Sequence, residues 1–184
     1  MTEIAYNEYK LWELVLYVAD HLRDDRAGGA TKLNKVLYFA EFAHMRRTGP
    51  PITGAVFQRL PQGPAARRLL PIRDTLIAAG DAELVPESFL GYEQHRLISK
   101  RPADLSDFSE EELGTVNEVL EDLRHLTAKQ VSDLSHAEPG WNLVNDGDTI
   151  PYAAALIAPE HVETATSERL AREVAQRYGA SSAR

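Results

Sequence analysis

Apolar residues recur at steps of three and four in at least five separate segments of this chain, and that spacing commits most of it to helix. Between Glu8 and Arg23 the recurring residues are Trp12, Val15, Leu16, Ala19 and Leu22. A loop from Asp24 to Ala30 follows, and Thr31 is placed to cap a second helix whose buried stripe is Leu33, Val36, Leu37, Ala40 and Ala43. Thr48-Gly49-Pro50-Pro51 ends it, because proline supplies no helical N–H. Gly63-Pro64 reads as the entry to a third helix, kinked at Pro71 and stopped by Gly80. Ser109 to Glu112 and Thr127 to Gln130 are capping boxes that open two more. Leu170, Val174 and Tyr178 mark a C-terminal helix over the 160–184 stretch, closed by Gly179 and frayed beyond. Ile52 to Phe57 reads as a short strand, and Glu83-Leu84-Val85 with Tyr92 to Ile98 as a hairpin. The expected class is α+β, mostly α: a compact helical domain with a small antiparallel β element.

No repeat, low-complexity tract or Pro/Ser-rich linker divides the chain, so residues 1–184 read as one domain. No apolar run approaches the roughly 18 residues that span a bilayer, and the first residues lack the features of a signal peptide. Cysteine is absent, which removes disulfides, thiolate metal sites and thiol nucleophiles. The expected location is cytoplasmic, with no membrane contact.

The net charge of −8 is polarised. From His44 to Arg73 there are six arginines and no acid, whereas Pro102 to Asp148 holds twelve acids against Arg124 and Lys129. Such segments either steer a charged partner or fold together and cancel.

Enzymatic constellations are missing. The chain has no phosphate-binding glycine loop, no Gly-x-Ser-x-Gly and no His-Glu-x-x-His, and its six histidines fall at no metal-ligand spacing. The expectation is a non-enzyme that needs no cofactor or metal.

Three short stretches remain: Lys32-Leu33-Asn34-Lys35-Val36-Leu37-Tyr38, then Arg59 to Gly63-Pro64, then His136-Ala137-Glu138-Pro139-Gly140-Trp141. Lys32 and Lys35, three apart, project from one side of the second helix, opposite Leu33 and Val36. With Tyr38 they either clamp an acidic partner or are the ordinary polar face of a surface helix. Arg59, Arg67 and Arg68, flanking the Gly-Pro turn, are solvated or form bidentate contacts with carboxylates or phosphates. His136 and Glu138 have the spacing of an acid–base pair, but a packing role fits better. In that role the Trp141 indole sits under the helix end and the other two close the corner by hydrogen bonds.

In this order the three stretches resemble the Panacea domain, or SocA-like antitoxin, family; the likeness runs from Thr31 to Pro151, leaving residues 1–30 and 160–184 largely outside. The first stretch matches the family's Lys-Leu-x-Lys-x-x-Tyr signature. Gly63-Pro64 is retained, with Ala65 where the family usually has valine. The resemblance implies an antitoxin that neutralises a toxin encoded beside it by direct binding, with a role as adaptor to a protease complex as a variant. It makes Lys32, Lys35, Tyr38, Arg59, Gly63, Pro64 and Arg67 the candidate toxin contacts, and leaves homo-oligomers open. The competing reading is a winged-helix-like DNA-binding regulator, with Arg67, Arg68 and Arg73 facing a groove.

Overall fold

A central helix organises the molecule. The structure, a computed structural model, describes residues 4–89 and 91–157; the expected C-terminal helix lies outside them. Helix α1 (Glu8–His21) is capped by the Asn7 side chain, which accepts from the Lys10 amide at 3.0 Å. Helix α2 (Ala30–Thr48) packs against α1 and against several of the elements that follow it. It begins one residue before Thr31, with Gly29 at the N-cap and no side-chain cap, so the expected Thr31 cap is not formed. The reason is tertiary: Gly29 is pressed against the Gln94 side chain, where a Cβ would lie 2.8 Å from Oε1. At the other end Gly49, with φ of 98°, terminates the helix where expected.

Strand β1 (Phe57–Gln58) pairs antiparallel with β2 (Ala65–Ala66) through the Gly-Pro turn. The strand expected from Ile52 therefore shrinks to two residues. Helix α3 (Leu69–Ala79) starts after β2 and not at Gly63-Pro64, so Pro71 falls in its first turn, where a missing N–H costs nothing and no kink arises. Gly80 ends it in the left-handed conformation. The hairpin is longer than its sequence signal: β3 (Ala82–Phe89) pairs with β4 (Tyr92–Ser99) along its whole length. β3 lies against α3, and β4 lies against α1.

Helices α4 (Glu110–Leu123) and α5 (Ala128–His136) open with the two expected capping boxes, at Ser109 and Thr127. The short α6 (Pro139–Asn142) and a 3-10 turn (Tyr152–Leu156) close over α2. Among the described residues the fold is α+β and mostly α, with two two-stranded antiparallel sheets.

The polarised charge cancels internally. Arg46 faces Glu138, Arg47 faces Glu118 and Arg59 faces Asp146, all three acids belonging to the 102–148 segment. Arg67 donates to the Gly147 carbonyl at 2.6 Å, Arg68 pairs with Glu8, and Arg73 pairs with Asp74. Four of the six arginines of the basic segment thus contact the acidic one, and the other two pair elsewhere.

Candidate functional site

Lys32, Lys35 and Tyr38 are interior residues, with exposures of 0%, 2% and 0%. This corrects the expectation of an exposed lysine face: α2 is covered on nearly all sides, so its polar positions are buried with its apolar ones. The two lysines are held differently. Lys32 Nζ donates to Asp25 Oδ2 at 2.6 Å and to the carbonyls of Arg124 and Leu126 at 3.1 and 2.9 Å. All three of its N–H groups are therefore matched. Among the described residues Lys35 Nζ has a single acceptor, the Pro64 carbonyl at 3.0 Å, and burial pulls its pKa down to about 8. The Tyr38 ring packs 4.4 Å from Phe42 and edge-on to Phe57. Its hydroxyl has no hydrogen-bond partner among the described residues, and burial pushes the phenol pKa up.

Lys35 makes stability depend on pH in a defined direction. The unfolded ammonium loses its proton near 10.5, the folded one near 8. Between these values the unfolded chain holds more protons, so the contribution of Lys35 to stability rises with pH; its cost is full below about 8. Lys35→Met removes that term. The difference in melting temperature between the native chain and this variant should shift in favour of the native chain from pH 7.5 to 10, and a constant difference would contradict the assignment.

Gly63 and Pro64 are buried and form an internal lock between α2 and α5. Gly63 has φ of 100°, and a Cβ there would overlap the Ser135 hydroxyl and lie 2.7 Å from Lys35 Cε. Gly63→Ala thus combines backbone strain with collision, and we expect a loss of about 2–4 kcal/mol in urea denaturation. A loss under 0.5 kcal/mol would mean that the turn is free to move.

Arg59 and Arg67 reach the surface, yet both hold their own chain. Arg59 pairs with Asp146 at 2.9 Å, donates to the carbonyls of Trp141 and Val144, and places its guanidinium 3.8 Å from the Trp141 ring centroid. His136 stacks on the same indole at 4.2 Å, and the indole N–H donates to the Leu60 carbonyl at 3.2 Å. Trp141 is thus half-buried by stacking beneath the end of α5. The corner is not closed by His136 and Glu138 as expected. Glu138 turns to Arg46, and the buried His136 Nε2 has no partner among the described residues. Nothing pairs them as acid and base. Trp141→Ala should cost about 3 kcal/mol, with His136→Ala costing less; an unchanged melting temperature for Trp141→Ala would refute the packing role.

Two anchors escaped the sequence reading. Glu41 is fully buried and accepts from the amides of Ile52 and Thr53 at 2.8 and 3.0 Å and from the Thr53 hydroxyl. Burial raises its pKa, opposed by those bonds. Arg96, 4% exposed, pairs with Glu87 and donates to the Leu22 and Arg23 carbonyls. The one available signal for Glu41 was an acid inside the apolar run of the second helix, between Ala40 and Phe42.

The three stretches thus meet where α2, the Gly-Pro turn and the α5–α6 corner join. The family described as antitoxin SocA-like, Panacea domain, matches residues 33–142, more than half of the 184 residues. The chain belongs to the SocA-like antitoxin, Panacea domain, family. Lys32 stands one residue ahead of the matched stretch. No curated protein and no solved structure gives a match. Among the described residues no helix is long and apolar enough to cross a membrane, and no group of three or more His, Asp or Glu is placed to hold a metal ion.

Proposed function

We propose that the protein is the antitoxin of a toxin–antitoxin pair and neutralises its toxin by stoichiometric binding, without turnover. The observation that carries this reading is the family match across residues 33–142. The signature side chains add to it: they are used to lock the domain together, as a rigid binding scaffold requires. Of the contacts implied by the resemblance, Lys32, Lys35, Tyr38, Gly63 and Pro64 are sealed inside, so they support the interface from beneath; Arg59 and Arg67 remain at the surface. The winged-helix alternative gains little from the geometry, because Arg68 and Arg73 are paired with Glu8 and Asp74 and the hairpin's Arg96 is buried.

The test is growth of cells expressing the toxin encoded next to this chain. Co-expression should restore growth, and a complex of fixed stoichiometry should survive size-exclusion chromatography. Absence of both rescue and complex would refute the reading. Rescue that disappears in cells lacking their ATP-dependent proteases would assign neutralisation to delivery for degradation.

A further inference from the structure

Helix α3 carries more apolar sequence than it buries. Leu69-Leu70-Pro71-Ile72 and Leu76-Ile77-Ala78-Ala79 make up most of it, yet only Leu69, Ile72 and Leu76 are buried. Pro71, Ala78 and Ala79 are exposed, Ile77 is half-buried, and Leu70 keeps 60% of its surface in water. Packing explains the surplus: α3 lies mainly against β3, one strand of a two-stranded hairpin, which covers one side of the helix. Contiguous apolar surface of this kind, unlike a scattered leucine, marks an interaction site.

Beside Leu70 the same surface holds a socket. A cavity of about 40 Å3 lies between α2, α3 and the hairpin, and its lining runs from Leu33, Leu69, Leu84 and Leu97 out to the exposed Leu70 and His95. It is too small for a metabolite or cofactor, whose sites run to about 300–1,000 Å3. It exceeds the roughly 30 Å3 share of one water, and a largely apolar lining gives a water few partners. The tip of one aliphatic side chain fits it. The charges of this face are matched within it: Arg73 donates to Asp74 Oδ1 through Nε at 2.9 Å and Nη2 at 2.7 Å. The face is therefore neutral on a chain whose net charge is −8.

We propose that this face pairs with a second copy of the chain in a weak two-fold homodimer, the Leu70 of each copy entering the socket of the other. Plug and socket adjoin, since Leu70 itself forms part of the socket's lining. A two-fold axis passing beside Leu70 therefore sets each plug over the opposite socket, and one contact is made twice. Charge permits the pairing here: two chains at −8 repel wherever unpaired acids meet, and this face brings none together. Size sets the strength. The eleven residues of α3 span about 16 Å, so the contact falls short of the roughly 800 Å2 per partner of a stable interface. A dissociation constant between about 10 μM and 1 mM follows. The proposal stands apart from the antitoxin reading.

The experiment is sedimentation equilibrium of the full chain from about 10 μM to 1 mM, with nitrogen-15 amide spectra over the same range. The chain should pass from monomer to dimer, and amide signals of residues 69–79 and of the hairpin near Leu84 and Leu97 should move with concentration. Leu70→Glu should weaken the dimer about tenfold or more at an unchanged melting temperature, because Leu70 is exposed and an acid suits the first turn of a helix. Leu70→Ala, which shortens the plug without adding charge, should weaken it too. Leu134→Glu, at an exposed leucine on α5, should leave the dimer intact. A chain still monomeric at the highest concentration would overturn the proposal, whether or not its α3 signals move on adding a toxin. So would concentration-dependent signals confined to other elements, a dimer indifferent to both Leu70 variants, or equal weakening by Leu134→Glu. Movement of signals from residues 158–184 in the monomeric Leu70→Glu variant would assign the face to the chain's own C-terminal residues, and overturn it as well.

Discussion

Lys32→Met should lower the unfolding free energy by about 3–5 kcal/mol, the cost of removing one partner from a buried charged pair. At roughly 2–4 °C per kcal/mol for a chain of this size, the melting temperature should fall by about 6–20 °C. The substitution leaves Asp25 without its cation and two carbonyls, of Arg124 and Leu126, without a donor. Lys32→Glu should be worse, since it sets a carboxylate against Asp25. Pairing Lys32→Met with Asp25→Asn should recover part of the loss, because the stranded charge is then gone. Thermal unfolding of the three variants checks this, and a Lys32→Met protein that melts like the native chain would show that the ammonium is not buried in solution. For the same reason, charge reversal at Lys32 or Lys35 is a poor probe of toxin contact: lost neutralisation would report lost folding.

Glu41→Ala should cost a similar amount, about 3–5 kcal/mol, because it strands two backbone amides and a hydroxyl in the interior. Glu41→Gln should cost less, since the amide keeps one acceptor oxygen but turns its NH2 toward donors. The damage should be local as well as global. Ile52 to Ala55 has no strand partner of its own and is moored to α2 by this carboxylate, so proteolytic cleavage near residues 50–56 should accelerate in Glu41→Ala. Denaturant titration and timed proteolysis measure the two effects. A stable variant with unchanged cleavage would mean that water replaces the carboxylate at no cost.

Most of the local signals, the Thr31 cap excepted, are realised in the structure. The capping boxes at Ser109 and Thr127 and the glycine stops at Gly49 and Gly80 are set by residues within one helical turn of each other, so no distant contact is needed to form them. The helical spacing gave α1 nearly to its ends for the same reason. The errors fall where a distant segment intervenes. Gln94 sets the start of α2, and β2 displaces the start of α3 to Leu69.

The site divides along the same line. The sequence by itself determined the class of fold, the family through three short motifs, and the absence of cysteine chemistry. Only the tertiary structure decided which polar side chains are inside. Periodicity assigns one buried stripe to a helix, but α2 is enclosed by α1, α4, α5 and the 3-10 turn, so Lys32, Lys35 and Glu41 are desolvated along with Leu33 and Val36. Whether such a charge can be buried depends on acceptors and donors far along the chain: the Arg124 and Leu126 carbonyls for Lys32, Pro64 for Lys35, the Ile52 and Thr53 amides for Glu41. Those partners are backbone atoms, which every residue carries alike, so no side-chain pattern records them.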